Sequence, residues 1–514
     1  MWPAFSRRST VTSPNQTQSQ RNLKIKYRGG IRMIIDRYDI RTSSRRVFRR
    51  CLRKWGFQSS MRMGLERIGT ETNINFWFGS AIHFAMEDYF GWNRFGDPRR
   101  AFKAYYGAFK PEDRPEGADD HYELGLGMLS YFLEWYPKHN SDMQFETLWF
   151  DENDRAVPPH TPGARPGVEQ EFLFDLGYRV MVDVHTDKIV KEWDPKHDKL
   201  YLLEGYNFMG TGNTPIDPST VEVGEGSRAY YYVEENEDSE SPMFDLSGKS
   251  ELHEVRIVPI CYHGTMDRLC VDRFGNWWIL DYKTTKGADT RKLDTDDQIS
   301  AYMWAAEQRF QHPFKGFIYL QLTKEVAKEP RRLKDGTLSV DKKQKTTYTL
   351  FKKAVMQDYG SVQNAPNKMV DMLNHLAEQE SAEGDRFIRW DLVTRNSHQK
   401  IVTYKNIMAE TKMMIDVNQY LFPNPTRDCG WDCPFRHICI AMDEGMSKQE
   451  IDDMISLEFQ RRDDTLEHND DDWKSKIKWP ESEKDLAAID KEFLDMGETL
   501  NVILPDKYTK QSEE

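Results

Sequence analysis

The chain has 514 residues, 38% hydrophobic and 30% charged, with a mean hydropathy of -0.76 and a formal charge of -13. Its length and its 14 Trp, 23 Tyr and 27 Phe supply core for two domains, or for one large domain with insertions, and exclude a small disulfide-stapled scaffold. No apolar run approaches the roughly 18 residues that span a bilayer, and the first thirty residues lack the apolar stretch of a secretion signal. The expectation is therefore a cytoplasmic protein with no membrane partner.

Residues 1–30 are rich in Ser, Thr, Gln and Arg with no acid, which predicts a disordered basic arm; a mitochondrial presequence has the same composition and is the alternative. Residues 31–150 are mostly helical, with Gly79–Phe90 and His121–Tyr136 as amphipathic helices. Val168–Val184 alternates as strands do, with Gly177 marking a turn, so residues 151–194 open a sheet. Residues 195–255, with 200–255 holding 12 acids against 2 bases, predict an acidic insertion. Strands resume at Val255–Cys261, Thr265–Val271 and Trp277–Lys283, the last two joined by the turn Asp272-Arg273-Phe274-Gly275-Asn276. A helix follows at Asp297–Phe310 and a strand at Phe317–Leu322, closing a core over 256–325.

Residues 326–425 are basic and then helical over 360–420, a cysteine cluster occupies 426–443, and an acidic tail fills 444–514. The charge is unevenly placed. Residues 445–514 hold 20 acids against 10 bases, whereas the first sixty hold 15 bases against Asp36 and Asp39, and residues 324–353 hold 10 bases against 4 acids. A nucleic-acid partner is thus compatible with an acidic total.

The chemistry concentrates in Gly264-Thr265-Met266-Asp267-Arg268 and Ile279-Leu280-Asp281-Tyr282-Lys283-Thr284. In a hairpin turning at residue 274, Asp267 and Asp281 face each other, and strand alternation puts Lys283 on the face of Asp281. Two close carboxylates require a proton or a cation between them, and oxygen ligands suit Mg or Mn. A cation there and an ammonium beside it fit phosphodiester hydrolysis. A surface hairpin with an ordinary ion pair is the plain alternative. Helical spacing places His83 with Glu87, and Gln298 with Tyr302.

Gly79 with His83, Gly264-x-x-Asp267-Arg268, Asp281-Tyr282-Lys283-Thr284 and Gln298-x-x-x-Tyr302, in this order, resemble the RecB-like branch of the PD-(D/E)xK nucleases over roughly residues 40–440. The resemblance implies an α/β restriction-endonuclease-like core, a mixed sheet flanked by helices, with a helical N-terminal region. It implies that His83, Asp267 and Asp281 hold Mg or Mn, that Lys283 is catalytic, and that Gln298 and Tyr302 support the site. An upstream strand acid completes the family's set, for which Glu169 is the candidate and Glu171 its competitor.

Of the six cysteines, Cys429-x3-Cys433-x5-Cys439 is compact enough to cap one metal centre and needs a fourth ligand. Cys261 and Cys270 read as small buried hydrophobes. The iron–sulfur members of this nuclease branch, among them the AddB-type and CRISPR-associated exonucleases, place one Cys before the nuclease core and three after it. That resemblance implies a 4Fe-4S clasp of Cys51, Cys429, Cys433 and Cys439, although the first gap of the triplet is three residues here and two in the family. Zinc is the alternative, and His437 can replace one thiolate in it.

Ser247-Gly248-Lys249-Ser250 lacks the upstream Gly of a phosphate-binding loop, since Met243 stands there. No ATPase motor is visible, so a helicase or recombinase belongs to a partner. The expected function is DNA cleavage, more exonuclease than endonuclease, in recombination, repair or replication, by a phage or bacterial enzyme acting on single strands or duplex ends. The alternative is an iron–sulfur or zinc DNA-binding subunit that does not cut.

Overall fold

The structure, a computed structural model, describes residues 25–27, 30–32, 36–69, 73–202, 215–224, 227–234, 251–287, 290–381, 383–431, 433–462, 472–482 and 484–491. Most of the expected basic arm, much of the acidic insertion including Ser247–Ser250, and the end of the acidic tail lie outside the described residues. The chain divides into two compact units that alternate along the sequence, one of residues 1–70, 171–264 and 401–469, the other of 71–170, 265–400 and 470–514.

The second unit carries the candidate site. Its sheet is mixed: Trp277–Thr285 pairs antiparallel with the end of Glu251–Val271 and parallel with Phe314–Thr323, which pairs antiparallel with Ile388–Val393. A parallel pair needs a crossover, and the helix Asp297–Phe310 supplies it, at the bounds the sequence predicts. The turn is also where the sequence places it, because Asp272 accepts from the backbone of Phe274 and Asn276 while Gly275 takes the left-handed φ of 83°.

The helices Ile74–Phe90, Pro98–Ala108 and Ala118–His139 share one apolar cluster with the sheet residues Trp278, Leu280, Tyr282, Ile318, Leu320, Leu322 and Trp390. Ile74–Phe90 stops at Gly91, where a Cβ would stand 2.6 Å from the carbonyl of Glu87 and 2.9 Å from Val168. Within the stretch 360–420, expected to be helical, Ile388–Val393 is instead a strand between the helices Asn367–Gln379 and Ser397–Ile415. Ile388 and Trp390 face the core at a spacing of two, a period too short to stand out beside two long helical patterns.

The first unit holds two smaller cores. One joins Met181, Leu200, Tyr230, Tyr232, Val255 and Ile257. The other joins Phe57, Leu65, Phe435, Ile438, Ala441, Ile451, Ile455 and Phe459. The last three belong to the acidic stretch after 444, where Ser447 and Glu450 form a capping box and start the helix Lys448–Glu458. Val168–Asp183 is one strand, so Gly177 is a bend and not the turn the sequence predicts. The amide of Gly177 donates to Asp175, and the chain reverses only at residues 184–188 before Ile189–Glu192 pairs back. Glu251–Val271 is likewise one strand where two were expected.

Asp39, on the short strand Tyr38–Ile40, lies 3.0 Å from Nδ1 of His263 and 2.9 Å from Nε of Arg37. Burial pushes its carboxyl up, but His263 and Arg37 outweigh burial and hold it at about 2. A depressed folded value stabilises above the unfolded pKa and is lost as pH falls through the folded one. Asp39 is therefore expected to contribute about 2 kcal/mol above pH ~4, most of it gone by pH ~2. Urea unfolding of wild type and Asp39→Asn across that window checks this, the two curves converging as the pH falls.

Candidate functional site

Five segments bring residues of the second unit together at the site. The ladder between Glu251–Val271 and Trp277–Thr285 runs from Val271↔Trp277 to Arg268↔Leu280, and its next step aligns Asp267 with Asp281, as the hairpin arithmetic expects. Oδ2 of Asp267 accepts the amide N–H of Tyr282 at 2.8 Å. From Ile74–Phe90, Nε2 of His83 lies 3.1 Å from the carbonyl oxygen of Tyr282, to which it donates when protonated. One residue of the chain thus anchors both the imidazole and the carboxylate through its main-chain atoms.

With Nε2 engaged, Nδ1 of His83 faces carboxylates: Oδ2 of Asp267 at 3.6 Å and Oε1 of Glu169 at 3.9 Å. The three residues offer ligand atoms all within 4.8 Å of one another. Glu169 takes part from a left-handed backbone, φ 45°, a costly conformation for a residue with a Cβ. Glu171 is exposed and is not in this group.

Asp281 is 2% exposed. Its Oδ2 lies 2.7 Å from Nζ of Lys283, and its Oδ1 is 3.4 Å from the amide nitrogen of Gln298, a contact at the long limit of a hydrogen bond. Tyr302 lies one turn beyond Gln298 on the same half-buried face of Asp297–Phe310.

The electrostatics are those of a site short of positive charge. Burial opposes charge on His83, yet Asp267 and Glu169 hold its imidazole up at about 9. Burial raises the Asp267 carboxyl, with His83 and Lys283 pulling it back. The Asp281 carboxyl is pushed up to about 6 by burial, Lys283 drawing it down and Asp267 driving it further up. Imidazole and carboxylate donors converging with excess negative charge fit a hard divalent cation.

Residues 221–440 match the family described as PD-(D/E)XK nuclease superfamily. No curated protein matches the chain. The PD-(D/E)XK match covers Asp267, Asp281, Lys283, Gln298, Tyr302 and the cysteine triplet, whereas His83, Glu169 and Cys51 lie before it. The superfamily domain and the mixed α/β core agree with the expected fold class and with a hydrolytic activity.

The structure shows two contributors whose roles no motif reveals. One is the backbone of Tyr282. The other is Arg268, 2% exposed and bonded to Tyr136 Oη at 3.0 Å, Thr147 Oγ1 at 3.0 Å and the carbonyl of Phe145 at 3.2 Å, with its guanidinium 3.8 Å from the centre of the Phe90 ring. It locks the strand one residue from Asp267. The arginine next to the motif Asp was visible in the sequence, but its acceptors are a tyrosine, a threonine and a carbonyl far upstream, which no charge pattern betrays.

In the first unit, Cys51 caps the helix Leu52–Gln58, its sulfur accepting the amide of Lys54 at 3.4 Å. Arg50 pairs with Asp428, and Asn424 donates to the carbonyl of Arg50 at 2.8 Å, which lays the segment before Cys429 along Cys51. Burial raises the Cys433 thiol, the Phe435 amide and Lys54 oppose this, and Cys429 and Cys51 are near enough to raise it further. Cys439 lies against Arg53, whose Nη1 is 3.2 Å from its sulfur and 2.7 Å from Asp443.

Nε2 of His437 lies 3.0 Å from Glu458. Cys261 and Cys270 are buried, with thiols pushed up to about 12 and about 11 chiefly by burial. Among the described residues no helix is long and apolar enough to cross a membrane.

Proposed function

We propose that this chain is a Mg- or Mn-dependent DNA nuclease of the RecB-like type, acting as an exonuclease on single strands or duplex ends in recombination, repair or replication. The observation that carries the reading is the convergence of His83, Glu169 and Asp267 beside the Asp281–Lys283 pair. His83, Asp267 and Asp281 hold the metal, with Glu169 as a further oxygen ligand. Bound there, a divalent cation polarises the phosphate and eases deprotonation of a water.

Every other part of the task falls to side chains. Nζ of Lys283 offsets the negative charge that grows on the phosphate. Gln298 orients Asp281, and Tyr302 faces the substrate strand. The lysines and arginines of residues 324–353 hold the sugar–phosphate backbone and make binding salt-dependent. Cys51, Cys429, Cys433 and Cys439 clasp a 4Fe-4S cluster, supported by the approach of Cys51 to Cys429 and Cys433 and by an arginine beside the Cys439 sulfur. A helicase or recombinase, where one takes part, is a separate protein.

The test is end-labelled single- and double-stranded DNA incubated anaerobically with the purified protein. Cleavage is expected with Mg or Mn and none with EDTA. Binding without cleavage under every metal would leave only the DNA-binding subunit.

A further inference from the structure

The helix Ile74–Phe90 buries most of its circumference, through Trp77, Phe78, Ala81, Ile82, Phe84, Ala85 and Met86. One stripe is left partly open, with Phe76 and Ser80 exposed and Gly79 and His83 half-buried, at the spacing of three, four and seven that shares a helix face. Phe76 is 77% exposed, and a Cβ built on Gly79 meets nothing within 4 Å. At 1.5 Å per residue Phe76 stands about 10 Å from His83 along that face, with a floor of two small residues between them.

A single exposed aromatic is ordinary. Its neighbours here are not. Lys324, the residue after the strand Phe314–Thr323, donates from Nζ to Oδ1 of Asn75 at 2.7 Å, and its ammonium is 5.3 Å from the centre of the Phe78 ring. It is therefore held against the first turn of the helix that carries Phe76. The amide of Lys324 donates to the carbonyl of Thr285, which puts Lys324 beside Lys286, the residue after the strand Trp277–Thr285. Burial lowers the Lys324 ammonium and Lys286 lowers it further, so the two cations feel each other. Among the described residues neither lysine has an ion pair. Two neighbouring ammonium groups, one of them bonded to Asn75 in the first turn of the helix that carries Phe76 and His83, complement a phosphate followed by an unpaired base.

We infer that Phe76, Lys286 and Lys324 form a subsite for one nucleotide of single-stranded DNA, its base stacked on Phe76 and its phosphate between the lysines. The strand then runs over Gly79 and Ser80 to His83. The inference deepens the nuclease reading and rests on it for the identity of the strand. It adds that the enzyme engages its substrate unpaired, since within a duplex the faces of the internal bases are covered by their stacked neighbours.

The test is equilibrium binding of a fluorescent oligothymidylate, and of a blunt duplex, to the full-length protein in EDTA. Phe76→Ala is expected to weaken single-strand binding by roughly 5- to 100-fold. Phe76→Leu should fall with it, Phe76→Trp should bind like wild type, and duplex affinity should not change. Lys286→Ala and Lys324→Ala should each reduce the salt slope of single-strand binding by about 0.7. Because Phe76 is exposed, unchanged thermal unfolding of the variants excludes a folding defect.

Equal single-strand affinity for Phe76→Ala and wild type, or Phe76→Leu binding as well as Phe76→Trp, would overturn the subsite. So would loss of duplex affinity in step with single-strand affinity, or a Phe76 requirement seen only with a protein partner. Failure of the nuclease reading looks different: wild type and variants show the expected binding order, yet no metal supports cleavage.

Discussion

Asp281→Asn and Lys283→Ala are each expected to lower DNA cleavage by about 100-fold or more while leaving DNA affinity near that of wild type. The two groups lie 2.7 Å apart on one strand face, opposite Asp267 and joined to Gln298, which suits them to the metal and the reacting phosphate and not to gripping the backbone. Asn at 281 keeps the shape of the carboxylate and the contact with Gln298 while removing the charge that holds Lys283. Removing Lys283 leaves Asp281 buried beside Asp267, and the pair then suppresses its own ionisation. Single-turnover cleavage with saturating Mn, alongside binding in EDTA, separates the chemical step from binding. Cleavage near the wild-type rate by either variant would remove these residues from the active site.

The second large effect is expected at the cysteines. Purified anaerobically, the protein should be brown, absorb broadly near about 400 nm and hold roughly four irons per chain. Cys51→Ser should abolish that signal as fully as Cys433→Ser, while Ser at Cys261 or Cys270 should spare it, both being buried elsewhere. The lost cluster should also lower the denaturant midpoint, since metal binding free energy is folding free energy. Cys51 caps one helix, and Phe435 and Ile438 beside the triplet share a core with Phe57 one helix away, so the cluster and that small core brace the same segments. Stoichiometric zinc without iron would replace the cluster by a zinc clasp, and iron surviving Cys51→Ser would move the fourth ligand.

Much of this site was legible because it is local. Asp267, Asp281 and Lys283 sit in one hairpin, where alternation and turn position fix which side chains meet, and the ladder has the expected register. Gln298 follows within the next helix and reaches Asp281. His83 and Glu169 were legible only through resemblance, because nothing in local spacing brings a residue 184 positions before Asp267 to its side. The backbone of Tyr282 could not be read at all, since any residue there supplies the same N–H and C=O. In the fold, Gly177 misled because a glycine bends a long strand as readily as it ends one, and Ile388–Val393 was hidden because two inward residues of a short strand leave a weaker signal than the helices on either side.

The left-handed backbone of Glu169 sets stability and activity against each other at one residue. Glycine at 169 would occupy that conformation without strain, and a search for tougher variants would select it. The same change would delete a carboxylate that faces His83. Hardening the protein at this position would therefore disarm it, and the cost that folding bears there is the mark of a residue kept for its oxygen atoms.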